Sequence, residues 1–199
     1  MTARLVLASA SPARRTTLRA AGLDPIVIVS GVDESQLTDL PPAELALQLA
    51  GLKCAAVAER ADLPPDALVL GCDSVLEIDG EALGKPHDPA EARRRWQAMR
   101  GRSGVLHSGH CLRDVATGRT AAATGSTVVH FADVSDAEID AYVATGEPLE
   151  VAGAFTIDGI GGAFVTRIEG DHHNVIGVSL PLLRDLVLEL GHAWPDLWS

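Results

Sequence analysis

A chain of 199 residues with 47% hydrophobic and 22% charged residues has the apolar content to bury a sizeable core, which excludes disordered, collagen-like and disulfide-framework classes. The 16 Lys and Arg against 27 Asp and Glu leave a formal charge of -11, so neither a nucleic-acid polymer nor an anionic membrane surface is an expected partner. No apolar run nears the ~20 residues that span a bilayer, and the first residues lead into a strand pattern without a signal-peptide core, so a cytoplasmic protein is expected.

Taken in chain order, the sequence alternates strands and helices. Arg4 to Ala8 reads as a short strand. Ser11-Pro12 reads as an N-cap with proline at the first helical position, opening a helix to about Ala21 that Gly22 stops. Pro25 to Val29 is a second strand. Pro42 to about Arg60 is a long helix with Leu45, Leu49, Leu52 and Ala56 along one stripe, followed by a Pro64-Pro65 break and a buried strand over Ala67 to Cys72. Asp79-Gly80 marks a hairpin turn. Asp88 to Glu91 and Ser135 to Glu138 are capping-box patterns that each open a helix, and between these helices lie strands near Val105 to Arg113 and Thr120 to Phe131, joined at Thr117-Gly118. A glycine-rich segment from Gly153 to Gly162 precedes a strand at Ala163 to Ile168 and a helix from Pro181 to Leu190. This α/β pattern with hairpins predicts a mixed central sheet with flanking helices, and no linker-like stretch divides the chain.

Two phosphate signatures fail on inspection. Gly84-Lys85 is followed by Pro86 where a P-loop needs Ser or Thr, and Gly159-Ile160-Gly161-Gly162 has Phe164 at the third glycine position of a dinucleotide fingerprint. The latter reads as a close-packed turn. Cys54, Cys72 and Cys111 lack C-x-x-C spacing and read as reduced buried thiols.

Three places could carry chemistry. Ser9-Ala10-Ser11-Pro12 followed by Arg14 joins a strand to a helix. It reads either as an ordinary Ser-Pro cap with a solvent-facing arginine or as an anion cradle of free N–H groups and a guanidinium. Lys53 falls on the edge of its helix's apolar stripe, as a snorkelling stem or as a site charge. Asp73 directly follows the buried strand, where a carboxylate can start an Asx turn, or can hold a divalent cation and act as a base toward water. Of the 16 basic residues only Lys53 and Lys85 are lysines, so both are candidates for a site that needs a compact point charge. His172-His173 beside Asp171 reads as an exposed polar loop, and Arg93-Arg94-Arg95 as a solvated helix face.

The chain resembles the Maf family of nucleoside triphosphate pyrophosphatases. The resemblance rests on Leu7-Ala8-Ser9-Ala10-Ser11-Pro12 with Arg14, Val32-Asp33-Glu34, Lys53, Asp73-Ser74-Val75 and Leu83-Gly84-Lys85-Pro86. Further along it rests on Gly146-Glu147-Pro148 with Ala152-Gly153-Ala154-Phe155, and on Asn174-Val175-Ile176-Gly177. It implies a single Maf-like domain over residues 1–199, with two lobes around a deep cleft, as in inosine triphosphatases. It also implies hydrolysis of a nucleoside triphosphate to a monophosphate and pyrophosphate with a divalent metal, Mg²⁺ or Mn²⁺. Carried over residue by residue, Ser9, Arg14, Lys53 and Lys85 would grip the triphosphate. Glu34 and Asp73 would handle the metal and the attacking water, with Asp73 as proton acceptor.

The departures fall where the base is read. The family's dTTP/UTP branch has arginine and its 7-methyl-GTP branch tryptophan at the position of Ala13. Asp158 stands where those branches have Gln or Glu, and Ser74 replaces a frequent threonine. An acid only accepts hydrogen bonds, which suits the N1–H and 2-amino edge of a guanine-like base, although Asp158 is also a natural turn residue before Gly159. Two function classes result: an enzyme acting on standard, non-standard or modified nucleotides, and a nucleotide-binding regulator of cell division without turnover. The expected partner is the nucleoside triphosphate, with a homodimer left open.

Overall fold

The structure is a computed structural model that describes residues 3–33, 37 and 40–199. Its centre is a mixed sheet built from β1 (Arg4–Leu7), β2 (Ile26–Val27), β3 (Ala67–Ile78), β4 (Glu81–Leu83), β5 (Ser103–Asp114), β6 (Thr120–Phe131) and β7 (Val165–Glu169). The strand order is β2-β1-β3-β5-β6-β7, with β4 also on β3. β1 runs parallel to β2 and β3, and the remaining neighbours are antiparallel. Around the sheet lie α1 (Pro12–Ala20), α2 (Pro42–Ala58), α3 (Pro89–Met99), α4 (Asp136–Ala144), α5 (His172–Ile176) and α6 (Leu180–Glu189). Among the described residues no helix is long and apolar enough to cross a membrane, and Cys54, Cys72 and Cys111 are buried free thiols.

Local signals set most element ends. The Ser11 hydroxyl accepts from the Arg14 N–H at the start of α1, and Ser135 and Glu138 form the expected reciprocal capping box. Asp88 caps α3 through the Glu91 N–H, but the Glu91 carboxylate turns to Arg94 and Arg95, so only half of that box forms. Asp79 and Gly80 both take positive φ in the β3–β4 hairpin, as a tight primed turn demands. Two expected strands differ in extent: β2 keeps only Ile26–Val27 of the expected Pro25 to Val29, and the last strand begins at Val165 and not at Ala163.

A larger difference concerns β3. The strand does not stop at Cys72 but continues to Ile78, with Asp73 paired to Gly109 and Ser74 to Ser108 of β5. Long-range pairing overrides the local turn propensity of Asp-Ser. One face of this long strand carries two separate apolar clusters. Leu68, Leu70 and Cys72 pack with Leu18 of α1 and with Leu183 and Leu186 of α6. Leu76 and Ile78 pack with Trp96 of α3 and Ile139 and Tyr142 of α4. The polar Ser74 lies at the junction.

The opposite face carries α2, and here the sequence stripe needs correction. Leu52 and Ala56 point to solvent, while Ala46, Leu49, Ala50, Lys53, Cys54 and Val57 are buried. Lys53 is therefore inside the packed stripe rather than at its edge. The reason is the floor beneath it. A Cβ on Gly71 would overlap the Ala50 carbonyl oxygen and lie 2.7 Å from the Cys54 nitrogen, and one on Gly109 would overlap the Ala46 carbonyl and lie 2.6 Å from the Leu47 Cα. Small residues on the helix and glycines on the sheet bring the two backbones unusually close.

That closeness can be tested by thermal unfolding. Gly109→Ala must push α2 outward and should cost about 1–3 kcal/mol, as overpacking does. Gly51→Ala lies on the same helix with open space around its Cβ position, and should be neutral or stabilising by about 0.5–1 kcal/mol. Equal effects of the two variants on Tm would contradict the packing account.

Candidate active site

The sheet has a gap in one edge of β3. β1 pairs with β3 only as far as Leu70, and β4 begins pairing at Leu76, so between them Gly71 to Val75 carry no strand on that side. The carboxyl end of β1 and the start of α1 face this gap, an arrangement in which α/β sheets bind ligands. A cleft of about 730 Å³ opens there, a size that suits a small-molecule ligand. Ser9, Ala13, Arg14, Lys53, Asp73, Ser74, Lys85 and Asp158 all line it. Glu34 lies outside the described residues.

Asp73 and Lys53 face each other beneath α2. The Lys53 ammonium donates to Asp73 Oδ1 at 2.5 Å, and both residues are buried, at 9% and 7% exposure. This is an ion pair held in the interior, not a snorkelling lysine. Removing one partner of such a pair typically costs 3–5 kcal/mol, because it leaves a buried charge behind.

On the other face of the strand Arg14 acts as a brace. Its Nε donates to the Gly177 carbonyl at 2.8 Å, Nη1 to Ser9 Oγ at 3.0 Å and Nη2 to Ser74 Oγ at 3.1 Å. Three of its five N–H donors thus tie together the β1–α1 turn, β3 and the end of α5. Ser74 Oγ is 2.7 Å from Ser108 Oγ, which in turn donates to the Asn174 carbonyl. Ser9 Oγ accepts from both Arg14 Nη1 and the Ser11 N–H, which leaves its own proton to be donated elsewhere. The solvent-facing reading of Arg14 is therefore incorrect, since it is buried.

Lys85 and Asp158 are exposed at the cleft's rim. The segment before Lys85 is held by its Gly84 carbonyl, which accepts from Arg95 Nη1 at 2.6 Å and from the Gly153 N–H at 3.2 Å. Arg93 and Arg94 match the solvated-face expectation, whereas the Arg95 side chain is 17% exposed and supports the lysine loop. His172 and His173 are not in a loop but open the five-residue α5, capped by the Asp171 carboxylate.

The family model described as Maf-like protein matches residues 4–190. The chain belongs to the Maf-like protein family. Among curated relatives, one from Salinispora tropica named nucleoside triphosphate pyrophosphatase is 64% identical over 198 residues, covering 98% of this chain and 88% of that protein. One of the same name from Streptomyces avermitilis is 60% identical over 196 residues, covering 98% and 95%. Another of that name from Gloeothece citriformis is 52% identical over 199 residues and covers the whole of both. Among solved structures, that of the Staphylococcus aureus Ham1 protein is similar at 19% identity and a TM-score of 0.46, covering 65% of this chain and 72% of that one.

Residue-by-residue reading of this Maf-like chain missed the supporting groups: Gly71 and Gly109 under α2, Arg95 behind Lys85, and His110 behind Arg14. His110 Nδ1 donates to the Ser108 carbonyl and Nε2 accepts from the Ser179 N–H, fixing the turn just after Gly177. Burial lowers its pKa from 6.5 to about 4, so the ring is neutral at pH 7. The unfolded chain binds the proton first, so stability is complete above about pH 6.5 and is lost as pH falls toward 4. The full effect is roughly 3 kcal/mol. His110→Gln keeps an acceptor for Ser179 without titrating. Denaturant unfolding between pH 7 and 4 should show a flatter stability profile for this variant, and parallel profiles would contradict the assignment.

Proposed function

We propose that this protein is a metal-dependent nucleoside triphosphate pyrophosphatase that directs water at the α-phosphorus and releases a monophosphate and pyrophosphate. The general activity is supported by the family and by relatives of that name at 52% to 64% identity. The observation that carries the finer reading is the buried Lys53–Asp73 pair at the floor of a cleft whose other wall is the Ser9–Arg14 turn. In this reading Asp73 accepts the proton of the attacking water. Lys53, Lys85, Arg14 and the Ser9 hydroxyl meet the charge on the phosphate oxygens and on the departing pyrophosphate. An acidic protein can hold a polyanion in this way because positive groups are concentrated at one place in the cleft.

The donor chemistry fits a hard divalent cation: Asp73 offers carboxylate oxygen, Glu34 is a second candidate ligand, and a triphosphate brings the further oxygens that Mg²⁺ or Mn²⁺ takes. When bound, such a cation neutralises phosphate charge and makes water more acidic. Asp158 presents acceptors only, and Ala13 leaves room beside the base, so a guanine-like or modified base with donor groups on its edge is the substrate this cleft suits.

A nucleotide-binding regulator without turnover is the competing class. Pyrophosphate release from a panel of triphosphates with Mg²⁺ or Mn²⁺ separates the two, since a pure binder releases none. Chelator should abolish release and either cation restore it. Asp73→Asn keeps the shape but loses the base, and should lower kcat by at least about 100-fold while nucleotide affinity stays within a few-fold. Lys53→Arg and Lys85→Arg should each impair turnover by about tenfold or more, because a planar fork does not replace a point charge. An Asp73→Asn variant with most of its kcat would overturn the assignment.

A further inference from the structure

The wall of the cleft that carries Asp158 is organised around one carboxylate that does not itself line the cleft. Glu147 sits in the turn after α4. Its Oε1 accepts from the Tyr142 hydroxyl at 2.8 Å, the Thr156 hydroxyl at 2.6 Å and the Gly161 N–H at 2.9 Å, and its Oε2 accepts from the Ile160 N–H at 2.9 Å. The segment from Thr156 to Gly161 therefore curls around an anion, and its residues Thr156, Ile157 and Asp158 line the cleft. Its glycines are required by that curl. A Cβ on Gly159 would lie 2.5 Å from Glu147 Oε2, and one on Gly161 would overlap the Tyr142 hydroxyl.

We propose that Glu147 is a positioning residue for substrate selection, clamping the 156–161 loop so that its cleft-facing residues are held in one geometry against the base. This rests on the reading of the cleft as a nucleoside triphosphate site. Four donors converge on the two oxygens, and no other side-chain type offers two acceptors at that reach. In Glu147→Gln one acceptor becomes an NH₂ group pointed at a donor, so the loop loses its anchor on one side. Of the phosphate-facing groups, Arg14 stands on α1 and Lys53 on α2, Ser9 lies in the β1–α1 turn and Lys85 in the loop after β4, and the groups that bond Glu147 are Tyr142, Thr156, Ile160 and Gly161 instead. Losing the clamp should therefore blur discrimination among bases while sparing the grip on phosphates.

The test is calorimetric binding of α,β-methylene analogues of dTTP, UTP, CTP, GTP and 7-methyl-GTP, together with inorganic tripolyphosphate, which carries the charge without a base. No turnover is needed, so a wild type that binds but releases no pyrophosphate would defeat the enzymatic reading and leave this one standing. Expected for Glu147→Gln is a loss of about tenfold or more for the best analogue, a spread across the five of less than about threefold, and tripolyphosphate affinity within about twofold of wild type. Thr156→Val removes a single donor and should show the same pattern at smaller size, carrying the test if Glu147→Gln does not fold. An equal shift for all six ligands, or no shift for any, would overturn the proposal.

Discussion

A lysine ammonium and an aspartate carboxylate, both withdrawn from water, meet between α2 and β3, and much of the cleft is arranged to make that meeting possible. Burying two charges is costly, and their attraction offsets the cost only at good geometry. The geometry comes from the absence of side chains: Gly71 and Gly109 let the backbone of α2 settle onto the sheet at Ala46 and Ala50, which places Lys53 over Asp73. A helix lifted by the volume of two methyl groups would separate the charges and leave each to be desolvated alone.

The same strand serves two surfaces at once. Alternation along β3 turns Asp73 toward α2 and Ser74 toward Arg14, and the gap between the end of β1 and the start of β4 lets both reach one cleft. Arg14 then links Ser9, Ser74 and the Gly177 carbonyl, so the β1–α1 turn, the central strand and α5 are fixed to one another through a single planar group. The rim is held more loosely but by the same means, with Arg95 on the Gly84 carbonyl and Glu147 on the 156–161 loop. Charged side chains here act on both backbone groups and hydroxyls, where their geometry is enforced by hydrogen bonds and not by long-range attraction.

What was legible in the sequence was local. The Ser11-Pro12 cap, the Asp79-Gly80 turn and the Ser135 capping box depend on neighbours within a few residues, and they stand where the residue pattern puts them. The continuation of β3 through Asp73 and Ser74 depends on Gly109 and Ser108, more than thirty residues away, and a rule that ends strands at polar residues stops too early. Scarcity singles out Lys53, but helical periodicity puts it at the stripe's edge, because periodicity carries no information about a glycine floor on another element. Cleft residues scattered from Ser9 to Asp158 were grouped by family resemblance, while Glu147 and Arg95 reveal their part only once the backbone they bind is in place.

The central claim is that Lys53 and Asp73 form one energetic unit. A double-mutant cycle of Lys53→Met, Asp73→Asn and the combined variant, read as unfolding free energy at pH 7, measures their coupling directly. The account predicts a coupling of about 2 kcal/mol or more, with the double variant more stable than the sum of the single losses allows. Additive losses, with a coupling below about 0.5 kcal/mol, would contradict it.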